Sequence, residues 1–200
     1  MLTDLDPFVA PAFTGLRVMM MPVIWDDPDT IPDLNGWHDL LATTARRLGW
    51  SGVGYVTIDE AHVTRGEHHR RPGLHVDGGG TWGGGNPWGG SRDHGFVVGA
   101  TVSACRAFPS VKPDVIGPDG EVEAPRPSDG VPLLAHRLYH LDPLCPHKTL
   151  PMPATGPRQF VRLSSHTTAP WFEGYTPNPL GVAPAGPILP ARTAQMAHRT

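Results

Sequence analysis

The sequence predicts a mainly β protein with a few helices, built as an antiparallel sandwich or barrel, with a jelly roll as the best fit. Three observations carry this. Only one segment, 37–48, has apolar residues at the 3–4 spacing of an amphipathic helix. Several short runs rich in β-branched and aromatic residues follow it, each bounded by turn signals. Gly and Pro, 24 of each, cut the chain into short elements.

Taken in order, Gly15 to Trp25 reads as a strand or strand pair, and 26–35, acidic and Pro-rich, as a loop. In the helix, Trp37, Leu40, Leu41, Ala45 and Leu48 form the apolar stripe. Asn35 is the expected N-cap, Arg46 and Arg47 suit the C-terminal dipole, and Gly49 is the expected terminator. Val53 to Ile58 and Leu74 to Asp77 read as strands, and Gly78 to Gly90 as a loop. His94 to Cys105, with Phe96, Val98, Ala100 and Val102 alternating, is the strongest strand pattern. Asp114 to Glu123 predicts a hairpin around Pro118-Asp119-Gly120. Val131 to Leu141 and Arg158 to His166 are further strands.

Length suits one domain, 1–200, with a jelly-roll core over about 50–168 and a Pro-rich tail over 169–200 that wraps the body. The net charge of −3 gives no basis for a nucleic-acid or acidic-lipid partner. No run approaches the ~20 apolar residues of a membrane span. Val18 to Met21 is too short for a signal core, and Asp4 and Asp6 precede it where basic residues would be needed. Cys105 and Cys145 are too few for a disulfide framework. Reduced thiols and a cytoplasmic location are therefore expected.

The chemistry concentrates at Leu74-His75-Val76-Asp77. In a strand, residues i and i+2 share a face, so His75 and Asp77 project together. A second histidine from another strand would complete a two-His, one-carboxylate triad, the donor set that suits non-haem Fe(II) and leaves coordination positions open. Eleven histidines are available. His38 lies on the polar side of the helix beside Asp39, and His198 lies in the terminal tail. His68 and His69, in the charged run Glu67-His-His-Arg-Arg71, read as solvated. His62, His94, His136, His140, His147 and His166 lie on or beside strands, where a structural role is the ordinary one for any of them alone. His147 stands apart because Pro146-His147-Lys148-Thr149-Leu150-Pro151 leads through a Pro/Gly-rich turn into Arg158-Gln-Phe-Val-Arg162-Leu-Ser164.

This pattern, His-x-Asp, a long gap, a distal His and then an Arg, resembles the Fe(II)/2-oxoglutarate-dependent oxygenases. The gap from Asp77 to His147 is 70, and Arg158 follows His147 by 11. Arg162 follows by 15, inside Arg162-Leu163-Ser164, which is similar to the family's Arg-x-Ser. The resemblance covers roughly residues 73–166. It implies a double-stranded β-helix (a cupin-like jelly roll) with Fe(II) on His75, Asp77 and His147. It also implies 2-oxoglutarate and O2 as co-substrates and a small-molecule substrate. In halogenating relatives the carboxylate ligand is replaced by Gly or Ala, so Asp77 implies hydroxylation, desaturation or another oxidation.

The co-substrate's distal carboxylate needs a bidentate cation. Arg158 is the favoured anchor, and Arg162 with Ser164 is the rival. By the period of two, Arg158, Phe160, Arg162 and Ser164 share a face. Two interior cations demand anionic partners, so the substrate is expected to be anionic or amino-acid-like. Trp82 and Trp88 read either as part of a lid over the substrate or as indoles packed on the surface. Tyr139 either contacts the co-substrate or packs. Two other functions fit the same residues. One is a cupin-like Fe(II) enzyme without 2-oxoglutarate, in which the arginines bind substrate. The other is a non-catalytic jelly-roll binding module with structural histidines. The short chain is consistent with a homodimer that completes the site.

Overall fold

The period-two runs form eleven strands among the residues described by a computed structural model, which are 1–77, 95–112, 116–117, 120–123, 126–165, 168 and 170–191. The strands are β1 (Leu2–Pro7), β2 (Arg17–Ile24), β3 (Val53–Val63), β4 (Phe96–Ala100), β5 (Cys105–Ala107), β6 (Val131–Leu133), β7 (Arg137–Leu141), β8 (His147–Thr149), β9 (Gly156–Ser164), β10 (Trp171–Phe172) and β11 (Ile188–Leu189). One helix, α1 (His38–Arg47), lies between β2 and β3. The large sheet has the order β1-β7-β4-β9-β3-β2, all antiparallel. A smaller antiparallel sheet has the order β6-β5-β8, and β10 and β11 form a short parallel pair. Trp82 and Trp88 lie outside the described residues.

Both faces of the large sheet are covered, so β3 and β9 are buried almost continuously instead of alternating. One face packs on the helix side, where Trp37, Leu41 and Ala45 meet Val56, Ile58, Val161 and Leu163. The other face meets the small sheet, where Phe96, Val98, Tyr139, Leu141 and Phe160 meet Ala107, Leu133 and Cys145. Alternation along β9 sends Val161 and Leu163 to the helix side. Arg158, Phe160 and Arg162 point between the sheets, with each guanidinium over a phenyl ring (Arg158 on Phe160 at 5.8 Å, Arg162 on Phe96 at 5.0 Å).

Four expectations need correction. The segment His94 to Cys105 contributes two strands, β4 and β5, to different sheets. Val131 to Leu141 likewise splits into β6 and β7, with His136 at φ +58° at the corner. Both sheets face one shared core, so apolar alternation runs on across each corner and does not report the change of sheet. Leu74 to Asp77 forms no strand; only His75 pairs, in isolated antiparallel bridges to His147 on one side and Glu121 on the other. Asn35 does not cap α1. It sits at φ 56° in a 3-10 turn and donates to Thr14 Oγ1 at 3.0 Å, while Trp37 holds the N-cap position.

The helix ends where the sequence places its stop. Gly49 terminates α1 at φ +64°, with Trp50 N donating to Ala45 O at 3.1 Å. Ile116 and Val122 form an isolated antiparallel bridge, while Asp114 and the expected turn residues Pro118 and Asp119 lie outside the described residues; both cysteines are free. The tail closes the open edge of β2: Thr176 N donates to Met19 O, Met19 N to Thr176 Oγ1, and Asn178 Nδ2 to both Pro22 O and Thr30 O. No helix among the described residues is long and apolar enough to cross a membrane.

Behind the large sheet a buried carboxylate ties three segments together. Glu60 accepts from Thr14 N (2.8 Å), Thr14 Oγ1 (3.1 Å), Leu16 N (3.1 Å), Trp37 Nε1 (3.0 Å) and Gln159 Nε2 (3.0 Å). Burial pushes its pKa up, but these donors outweigh burial and hold it below the ordinary value. The anion therefore contributes stability above about pH 4.3, which is lost as pH falls through the lower folded-state pKa. Glu60→Gln is expected to cost about 1–3 kcal/mol at neutral pH. The gap between wild type and variant should narrow below about pH 4 in urea unfolding measured across pH.

Candidate metal centre

The site begins with backbone pairing. His75 N donates to His147 O at 3.0 Å and His147 N to His75 O at 2.9 Å, the reciprocal bond pair of an antiparallel ladder. His75 thereby extends the small sheet beyond β8 and is bridged on its other side by Glu121. Gly120, at φ +82°, lets the hairpin chain close on Val76, whose N donates to Gly120 O at 2.8 Å. A Cβ at Gly120 would strike the Val76 carbonyl.

Pairing opposite one another puts the two imidazoles side by side, with ring centroids 4.4 Å apart. Each Nδ1 meets the carbonyl two residues before it, His75 to Gly73 O at 3.0 Å and His147 to Cys145 O at 3.0 Å. A carbonyl only accepts, so each Nδ1 carries a proton, which leaves Nε2 as the atom that can offer a lone pair. Both Nε2 atoms turn to Asp77, His75 at 3.9 Å from Oδ1 and His147 at 3.7 Å from Oδ2. These separations are too long for hydrogen bonds. All three donor atoms lie within 4.8 Å of one another.

The donor set therefore fits a divalent metal in its chemistry: two neutral nitrogens and one carboxylate, with the second nitrogen of each ring anchored. Burial pulls the His75 pKa down to about 3, aided by the neighbouring His147, so this ring is neutral at neutral pH. Burial alone would raise the Asp77 pKa, but the Arg162 guanidinium beside it holds it below the ordinary value. Arg162 Nη2 lies 2.9 Å from Asp77 Oδ2. Phe96 packs beside His147, with ring centroids 5.4 Å apart.

The structure thus brings His75, Asp77, His147 and Arg162 together. Arg158 lies four residues down the same face of β9, about 13 Å along the strand. It is fully buried and lines a narrow cavity with Val98, Cys105, Tyr139 and Phe160. Tyr139 also accepts from Leu134 N at 3.1 Å through its hydroxyl, so it packs and lines the cavity at once. Ser164 is buried. Its carbonyl accepts from Trp25 Nε1 at 2.8 Å, and its Oγ finds no partner among the described residues.

His69 corrects the sequence reading. Expected in solvent, its side chain is only 4% exposed. It accepts from Arg158 Nη1 at 3.0 Å through Nδ1 and turns Nε2 to Asp59 Oδ1 at 3.6 Å. Arg70 Nη1 (2.6 Å) and Arg17 Nε (3.2 Å) also hold Asp59. The available signal was Asp59-Glu60 inside the otherwise apolar run of β3. Adjacent acids in a strand face opposite sides, so each demands its own partners. Glu60 takes those on the helix side, and Asp59 takes the charged run.

No family model matches the chain, and neither a curated protein nor a solved structure is found to be similar to it.

The triad's test is metal affinity. Calorimetric titration of Co(II) or Zn(II) should give one site. His75→Ala and His147→Ala should each weaken it by at least about 100-fold, since the loss of an outer-shell contact alone costs ~10–100-fold. Equal affinity in the variants would reject the site.

Proposed function

We propose that the protein is a non-haem Fe(II)/2-oxoglutarate-dependent oxygenase of the double-stranded β-helix type, oxidising a small molecule by hydroxylation or desaturation. One observation carries the reading most. His75 and His147 turn anchored Nε2 atoms on Asp77, and a buried Arg158 on the same interior face has no carboxylate partner among the described residues.

Strand order supports the architecture. Counting β3 as first and the His75 bridge as second, the large sheet contains 1-8-3-6 (β3-β9-β4-β7). The small sheet reads 2-7-4-5 (His75-β8-β5-β6). Strands that alternate in this way between two facing sheets are the arrangement of a jelly roll. β1 and β2 extend the large sheet at its two edges.

Fe(II) held by the triad would supply the oxidising chemistry with O2. The chain's own residues define the rest. Gly73 O and Cys145 O fix the imidazole tautomers and ring orientations. Arg162 holds Asp77 Oδ2 and so orients the carboxylate. Arg158 supplies a cation for the distal carboxylate of the keto acid, at the far end of the inter-sheet face. Phe96 and Phe160 keep water from the space between the two arginines. Because Asp77 already answers the charge of Arg162, an anionic group on the substrate is not required, and the proposal extends only to a small molecule.

Anaerobic addition of 2-oxoglutarate to the Fe(II)-loaded protein should raise a weak visible charge-transfer band. Arg158→Lys, which keeps the charge but loses the planar fork, should weaken that binding about tenfold. Aerobic screening of small molecules should release succinate. Iron binding without the band would instead favour an enzyme that works without 2-oxoglutarate.

A further inference from the structure

We infer that His69 is a positioning residue that aims the Arg158 guanidinium into the cavity between the sheets, with its Nε2 turned toward Asp59; this rests on the reading of Arg158 as the co-substrate anchor.

Arg158 has five N–H donors. Three are used within the protein: Nε to Val102 O at 3.4 Å, Nη1 to His69 Nδ1 at 3.0 Å and Nη2 to Cys105 Sγ at 3.4 Å. None of these acceptors is an anion, and two N–H groups remain for a ligand. The carbonyl and the imidazole are the two strong acceptors. They hold the group from Nε and Nη1, so together they set its plane. Val102 O is fixed by the backbone after β4. His69 is the side chain that completes the setting.

An imidazole suits this place for a reason of charge. A carboxylate there would neutralise Arg158 inside the protein and leave little attraction for a ligand. A second cation would repel it. A neutral ring keeps the geometry and leaves the charge available.

Because Nδ1 accepts from Arg158, the His69 proton sits on Nε2, the atom that faces Asp59. Burial lowers the His69 pKa, against the raising effect of Asp59 and with help from Arg158 and Arg70, which agrees with a neutral ring. Asp59 is itself saturated by Arg70 and Arg17, so its charge is not spent on Arg158. The titratable and charged groups that face His69 are thus Arg158 from β9, Asp59 from β3 and Arg70 from its own segment, with Cys105 of β5 beyond the guanidinium.

The test compares two keto acids on the anaerobic Fe(II) protein: 2-oxoglutarate, and 2-oxobutyrate, which has the same chelating head and no distal carboxylate. His69→Leu should weaken 2-oxoglutarate about tenfold and leave 2-oxobutyrate unchanged. His69→Asn, whose amide oxygen can replace Nδ1 as acceptor, should recover most of the loss. Equal weakening of both keto acids, or of neither, overturns the proposal. Nitrogen NMR of the histidine side chains, without keto acid, gives a readout independent of the proposed activity. It should find His69 neutral with its proton on Nε2, and a proton on Nδ1 at neutral pH would overturn the role. If the wild type shows no preference for 2-oxoglutarate over 2-oxobutyrate, the co-substrate reading fails, and the NMR result alone decides whether His69 sets Arg158.

Discussion

Two reciprocal backbone hydrogen bonds between His75 and His147 are the constraint on which the site depends. They are short, they join segments 72 positions apart, and they fix both side chains at once. In such a pair the two Cα atoms lie about 5.5 Å apart with side chains on one face. The imidazoles therefore have to stand together, and Asp77, two residues on from His75, reaches them both. Metal coordination would use an arrangement that main-chain pairing has already made.

The second organising principle is how β9 divides its interior charge. Arg162 and Arg158 occupy one face four residues apart, and each is removed from bulk water. Arg162 meets a carboxylate directly, at Asp77. Arg158 meets a neutral ring, and the nearest anion, Asp59, lies beyond that ring. Burying a cation without an anion is costly, so the two positions differ in kind. One is a closed internal pair that steadies a carboxylate. The other is a buried cation with no carboxylate partner among the described residues.

Rigidity behind the site comes from the opposite face of the large sheet. α1 and the aromatic cluster of Trp25, Trp37 and Trp50 cover it, while Glu60 joins β3 to the N-terminal segment, to Trp37 and to β9. The tail caps the β2 edge. A site whose residues come from paired strands between two packed layers is held more narrowly than one built on loops.

Much of this could be read from the chain. The helix with its glycine stop, the β character and the shared side of His75 and Asp77 follow from local spacing, because helical and strand periodicity act over a few residues, whereas His147 was singled out by resemblance to a family pattern. The two prospective arginines came from the same resemblance, and the period of two placed them on one face. What the residues alone could not decide was division and pairing. The apolar pattern of β4 and β5 is continuous although they belong to different sheets, since both point into one core. Spacing favoured Arg158 over Arg162 but could not place Asp77 beside one and His69 beside the other. His69 itself sat in a run that composition assigns to solvent. These outcomes depend on which distant segment arrives opposite a residue, and local periodicity carries no information about that. The sequence by itself determined the kinds of element and the ligand types. Only the tertiary structure decided which cation meets a carboxylate and which meets a neutral ring.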